Sequence, residues 1–373
     1  MRAGSGRTMR SRIEVQPTMA LDGPEDLARA YTPGVADDCR AIAASEDAAR
    51  QLTTRGNSVA VVCDGSAVLG LGDIGAIAAL PVLEGKAALL KRFAGIDAWP
   101  LCLDTRDVDG AVAAIAAVAP GFSAVNLEDI AAPRCFEVEQ RLRSALPVPV
   151  FHDDQHGTAI VVLGALLNAL QVTGKDKEKV RIVISGAGAA GVATAALLRA
   201  DGFGSIAAFD SNGSVHPARD DLNGPKQRLA ETTDPAPAGT SLAEGLRGAD
   251  VFIGVSAGGL LTEDDIAAMA DGAIVFALAN PDPEVDPDAA RRHAAVVATG
   301  RSDQPNQINN VLVFPGVFRG LIDGGLSELT TAAQRAAARA IAGVAGEPDA
   351  GVIVPLVFDD RLVPAIARAV AGA

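Results

Sequence analysis

Aromatic side chains are nearly missing from this chain: one Trp, one Tyr and eleven Phe make up 3% of 373 residues. Its cores must therefore be built from small and branched aliphatic side chains on closely packed helices and strands. Positive charge is also short, with 32 Lys and Arg against 46 Asp and Glu and a formal net charge of −14. That balance argues against nucleic acid or an anionic membrane as a partner. Only four cysteines occur, Cys39, Cys63, Cys102 and Cys135, with no C-x-x-C pair, which excludes a disulfide framework and points to reduced thiols. The longest apolar run, Gly157 to Leu167, falls short of the roughly 18 residues of a membrane span, and no signal-peptide core opens the chain. A cytoplasmic protein is expected, with Met1 to Arg12, basic and without period, disordered. No internal repeat or low-complexity segment is present.

What the chain does contain is alternation. At about 150 residues per domain its length predicts two or three domains. Short apolar strands at 58–63, 99–104, 124–127 and 148–151 alternate with helical patterns at 37–52, 77–93 and 108–119. A second series, 180–185, 205–209, 251–255, 274–277 and 296–299, follows with helices at 192–200 and 263–269. The fold class is α/β: an N-terminal α/β substrate and metal domain (13–153), a Rossmann-type doubly wound dinucleotide-binding domain (154–310), and C-terminal helices (311–373) that pack back near the interface. Between 211 and 239 a hydrophilic insertion predicts a helical turn and loop at the rim.

The stretch Phe151-His-Asp-Asp-Gln-His-Gly-Thr-Ala159 joins the two halves. Asp153 and Asp154 stand where a strand gives way to a helix, so either can be a helix N-cap. Two acids and two of the four histidines within five positions exceed what a cap needs, and the stretch is also a candidate metal site and hinge. A second acidic pair, Glu128-Asp129, closes the strand at 124–127, and functional side chains gather at the carboxyl ends of parallel strands. Oxygen-only ligands suit Mg²⁺ or Mn²⁺ rather than zinc. Lys86 lies on an apolar helix, where it either snorkels or, held in a cleft with a depressed pKa, serves as a base. Tyr31, the lone tyrosine, precedes a Thr-Pro-Gly turn and is either a packed ring or a functional hydroxyl.

The strand 180–185 runs straight into Gly186-Ala-Gly188-Ala189-Ala190-Gly191, a helix follows, and the next strand ends in Asp210. This is the dinucleotide fingerprint in its required context: glycines for the turn and close approach, a helix N-terminus for the pyrophosphate, an acid for the ribose. Gly70-Leu-Gly72-Asp-Ile-Gly75 matches the same pattern, but Gly65 and Ser66 intervene after its strand and no acid follows at the right distance. Asn280 and Asn310, at the edges of apolar segments, can form turns or contact a substrate.

Taken together, Tyr31-Thr-Pro-Gly-Val-Ala, Asp64-Gly-Ser-Ala-Val-Leu-Gly-Leu-Gly-Asp, Glu84-Gly-Lys86-Ala, Asn126-Leu-Glu-Asp-Ile, the 151–159 stretch, Ala279-Asn-Pro and Asn309-Asn-Val-Leu-Val-Phe-Pro-Gly resemble the malic enzyme family in its small bacterial form. The motifs keep their order from about Ile13 onward. The resemblance implies oxidative decarboxylation of L-malate to pyruvate and CO₂, with Mn²⁺ or Mg²⁺ and NAD or NADP, by a homodimer. It implies Lys86 as base, Tyr31 as the acid that protonates enolpyruvate, and Asp153 beside them. Glu128, Asp129 and Asp154 become metal ligands, Asn280 and Asn310 malate contacts, with Asn280 also near the cofactor. Burial beside a cation would give Lys86 the lowered pKa a base needs. Two departures follow. Ala67 stands where larger members carry an arginine that grips a malate carboxylate. No basic residue directly follows Asp210, which favours NAD, although Arg219 or Lys226 can reach a 2′-phosphate. Three other readings use the same residues: a malolactic enzyme, a non-catalytic NAD-binding regulator, and a hydroxy-acid or amino-acid dehydrogenase without metal.

Overall fold

The computed structural model describes residues 11–68 and 70–373; the expected disorder of Met1 to Arg12 falls mostly outside them. The described strands form two sheets. The first comprises β1 (Ser58–Cys63), β2 (Asp97–Cys102), β3 (Ala124–Glu128) and β4 (Val150–His152), all parallel, in the order β2-β1-β3-β4. The second comprises β5 (Arg181–Ser185), β6 (Ser205–Asp210), β7 (Gly213–Ser214), β8 (Val251–Gly254), β9 (Ile274–Ala277) and β10 (Val296–Thr299). Its order is β10-β9-β8-β5-β6-β7, parallel except for the antiparallel β7. Helices cover both faces, so β1, β3, β8, β9 and β10 are buried along their whole length and appear as continuous apolar runs rather than alternating ones. In the second sheet the strand order reverses between β5 and β8. A crevice opens there, outside the carboxyl ends of the strands.

The helix Thr158–Thr173 leads from the first sheet to the second and is buried along nearly its whole length. With the turn before it, it is long and apolar enough to cross a membrane by length and composition, yet 67% of that window is buried inside the protein. Its companion is the C-terminal helix Thr331–Ala345. A Cβ on Gly164 would meet the Ala338 carbonyl oxygen at 2.9 Å, so a glycine is what lets the two backbones approach. Asn168 donates across the same contact to the carbonyls of Ala342 (3.1 Å) and Ile353 (2.9 Å). The helix Phe314–Asp323 packs against Ala76–Ala94 of the first half, so the C-terminal helices touch both sheets' layers.

Two expectations need correction. The helix expected over 37–52 is Val35–Ala44, then an extended Ser45, a tight turn and the short helix Ala49–Leu52. Val35–Ala44 buries no residue in this chain, and without packing on one face a serine is a natural breaking point. The polar segment 211–239 is more ordered than a turn and loop. It adds β7 to the sheet edge and forms the helix Gly224–Thr232, capped by Asn223, whose Oδ1 accepts from the Lys226 N–H.

Candidate active site

Strand β3 delivers the first acid, and Asn126, two residues earlier on the same face, donates to Glu128 Oε2 at 2.8 Å. Asp129 follows in the left-handed region at φ 53°, which turns the chain sharply, and its N–H donates to Asp154 Oδ2 at 3.0 Å. The two acidic pairs are thus tied together across the ends of neighbouring strands. Asp153–Gly157 forms a single wide helical turn, and the cap is His152, whose Nδ1 accepts from the Gln155 N–H at 3.3 Å. Neither aspartate caps the helix. Burial holds the His152 imidazole down at about 4, so it is neutral and can accept. A Cβ on Gly157 would lie 2.0 Å from Asp153 Oδ1, so only glycine lets that carboxylate fold back over the turn. Buried Glu139, from the helix Arg134–Ala145, braces the turn from behind, accepting from Gln155 Nε2 (2.8 Å) and meeting His156 Nε2 (2.6 Å).

Lys86 does not snorkel. It is buried, with Nζ 3.0 Å from Glu128 Oε1, ion-paired to Asp153, and 4.3 Å from the centre of the Phe314 ring. Its pKa also runs opposite to expectation. Burial lowers it, but the charges of Asp153 and Glu128 outweigh that and raise it. Burial and the mutual repulsion of the acids lift the carboxylates in turn, Asp129 to about 8, with Asp153 and Asp154 raised as well. Glu128, Asp129 and Asp154 each present an oxygen within 4.8 Å of the others, and Asp129 Oδ2 has no hydrogen-bond partner. Three crowded carboxylates, an orphaned oxygen and no thiolate or imidazole in the set fit a hard divalent cation.

Two adjoining cavities lie nearby, and the smaller reaches this cluster through Asp154 alone. One, about 900 Å³, is lined by Gly186, Ala187 and Gly188 of the glycine loop, by Asp210, Asn212 and Lys226, and by Ser256. The other, about 400 Å³, is lined by Asp154, Ala67, Ala189, Ala190, Asn280 and Asn310. They share Ala132, Val255 and Ser256, so they adjoin. Gly186 has φ 111°, and a Cβ on Gly191 would sit 1.8 Å from the Gly186 carbonyl oxygen, which explains both glycines by backbone approach. The earlier glycine-rich loop serves the cleft instead: Gly70 lines it, and a Cβ there would touch Pro281 and Asn280. Among the described residues no Lys or Arg lines the smaller cavity, where Ala67 stands.

Asp210 is not a free acceptor. Arg219 donates to both its oxygens (2.8 and 3.2 Å), and Lys226 Nζ lies 2.5 Å from Oδ2. Arg219 also grips Asp221. Tyr31 stands apart from the cluster: it is 68% exposed and lines neither cavity. Sequence reasoning gave no role to Asn126, Glu139, Ser256 or Glu284. The signal for Glu139 was available, since Cys135, Val138 and Leu142 form an apolar stripe that includes it at helical spacing.

Comparison with known proteins agrees with this geometry. The model of the malic enzyme N-terminal domain matches residues 10–143, and that of the malic enzyme NAD binding domain matches residues 155–372. The chain is 50% identical to an NAD-dependent malic enzyme of Geobacillus stearothermophilus, over 97% of this chain and 76% of that one. It is 47% identical to a bifunctional malic/malolactic enzyme of Bacillus subtilis, over 97% and 89%. A crystal structure of an NAD-dependent malic enzyme from Thermotoga maritima superposes with a TM-score of 0.93 at 44% identity, over 97% and 96%. On these matches the chain belongs to the malic enzyme family, whose activity is the oxidative decarboxylation of malate.

Proposed function

We propose that this chain is a cytoplasmic, homodimeric malic enzyme that converts L-malate to pyruvate and CO₂ with NAD⁺ and Mn²⁺ or Mg²⁺. The observation that carries the reading is the buried Lys86 between Asp153 and Glu128, at the edge of the three-carboxylate cluster. When bound, NAD⁺ would supply the hydride acceptor for carbon 2, and a divalent ion held by Glu128, Asp129 and Asp154 would supply a Lewis acid at the keto oxygen, which takes up the electron pair of the carbon 3–carboxylate bond as CO₂ leaves. Asn280 and Asn310 orient malate by their amides. Lys86 Nζ takes the 2-hydroxyl proton, for which it must first be neutral, and buried Asp153 is the adjacent group to receive its own proton. Cation charge at Glu128 would weaken the hold that keeps Lys86 protonated, which is how the raised pKa and the base role are compatible. The test is NAD(P)H formation from L-malate with pyruvate and lactate assayed together, with Mn²⁺ and with EDTA. Metal-dependent reduction matched by pyruvate supports the reading. Lactate without NADH would instead favour the malolactic chemistry named for the Bacillus relative.

The preference for NAD⁺ rests on charge balance at the ribose end. Arg219 is already shared by Asp210 and Asp221, and Lys226 is held by Asp210, so neither of these two cations is free for a 2′-phosphate. Replacing Asp210 with alanine should release Lys226 and leave Arg219 held by Asp221 alone. The ratio of kcat/KM for NADP⁺ over NAD⁺ is expected to rise by at least about tenfold, the worth of one charged hydrogen bond. An unchanged ratio would show that Asp210 does not set cofactor choice.

The dimer rests on the N-terminal arm. The helices Pro24–Ala30 and Val35–Ala44 bury no residue, and Val15, Met19, Leu21, Leu27 and Tyr31 are all exposed. Apolar groups gathered on an arm whose two helices bury none of their own residues favour a second copy as the surface they cover. Tyr31 of one copy then supplies the acid for the cavity of the other.

A further inference from the structure

Below the junction of the two cavities a carboxylate is sealed away from water. Glu284 is 0% exposed. Its Oε1 accepts from the Ser256 N–H at 2.9 Å and the Ser256 hydroxyl at 3.1 Å, and its Oε2 accepts from the Ala279 N–H at 3.1 Å. Ser256 Oγ lies 2.9 Å from Ser185 Oγ at the end of β5. The seat is shaped for this group: a Cβ on Gly254, the last residue of β8, would lie 2.3 Å from the Glu284 carboxyl carbon. No cation among the described residues pairs with it. Burial pushes its pKa up, while the bonds from Ser256 and Ala279 act against that rise. A buried carboxylate without a counter-charge is costly, so the three donors it gathers need a reason.

The donors come from two different loops. Ser256 follows β8 and lines both cavities, while Ala279 follows β9, lines the smaller one and directly precedes Asn280. Asn280 is itself seated closely, since a Cβ on Gly300 would come within 2.7 Å of its Nδ2. We propose that Glu284 is a positioning residue for the reaction: by accepting from both loops at once, it holds Ser256 at the dinucleotide cavity in register with Asn280 in the malate cleft. This rests on the malate reading above. Glutamine fills the same volume but offers a single acceptor oxygen and an NH₂ that must face an N–H, so one loop is released.

The test uses the full-length protein. Glu284→Gln should raise KM for malate about tenfold and weaken NADH binding, followed by its fluorescence, by a similar factor, with Tm unchanged. Because Glu284 acts through Asn280, the same substitution made in an Asn280→Ala background should raise malate KM less than about twofold. Gly254→Ala, which displaces the carboxyl group by contact alone, should reproduce the malate KM increase. Additive effects of Glu284→Gln and Asn280→Ala, or a fall in Tm with KM unchanged in both Glu284→Gln and Gly254→Ala, would overturn the assignment. If the wild-type protein turned over no malate, the functional reading would fail by itself. The NADH titration would still judge Glu284, and unaltered NADH affinity in Glu284→Gln would count against it.

Discussion

Lys86→Ala should yield a folded protein that no longer oxidises malate. The amine sits 3.0 Å from Glu128 and is ion-paired with Asp153, with both acids and the lysine itself buried. Removing a general base costs roughly 10²–10⁴ in rate, and among the described residues no Lys, Arg or His lines the malate cleft that could replace Lys86. The loss is therefore expected in kcat, at the upper end of that range. Divalent-ion binding should survive or tighten, because Lys86 is the cation that now competes for Glu128. Stability separates from chemistry through Lys86→Arg. Arginine keeps the positive charge between Asp153 and Glu128 but cannot release its proton near neutral pH. It should retain more thermal stability than alanine, since deleting one member of a buried pair costs about 3–5 kcal/mol, yet be as inactive. The measurements are malate-dependent NADH formation, Mn²⁺ titration and Tm on all three proteins. Substantial oxidation by either variant would remove Lys86 from the proton transfer.

The sheets and the glycine loop were legible because they depend on local pattern. Strands buried on both faces appear as unbroken apolar runs, and the loop from Gly186 to Gly191 must follow a strand and open a helix wherever it is used. The two acidic pairs were legible for a related reason, since each ends a strand and parallel strands end on the same side. What could not be read was partnership across the chain. Lys86 and Asp153 are 67 positions apart, and only the fold shows that the lysine is clamped by acids, which reverses the direction expected for its pKa. Asp210 was placed correctly at the strand end, but the helix that brings Lys226 onto it lies in a segment whose polar composition conceals it. His152 took the capping role that Asp153 or Asp154 can fill, because both aspartates were drawn away, one to Lys86 and the other to the Asp129 N–H. Glu284 carried no signal at all: in sequence it is one acid in a proline-rich turn, and its three donors come from residues that look like ordinary loop.

Tyr31→Phe should slow pyruvate formation by about 10²–10³, and mixing it with Lys86→Ala should bring activity back. The two single variants damage different copies of the same proposed site. If Tyr31 acts on the cavity of the other chain, a mixed dimer pairs the intact Lys86 of one copy with the intact Tyr31 of the other. One of its two sites is then whole, while the second carries both lesions. Random reassembly makes about half of the dimers mixed, so roughly a quarter of wild-type activity should return. Were Tyr31 to serve its own chain, every site in the mixture would carry a lesion and no recovery would follow. The recovery should also fade on dilution below the dimer dissociation constant. The physical ground is the arm itself: a hydroxyl that lines neither cavity, on helices that bury nothing of their own, can reach carbon 3 of enolpyruvate only from another copy or after a large movement. Cross-linking the arm to its own chain in the position it holds here distinguishes these two routes, since it would block the movement and abolish activity in the second while preserving it in the first.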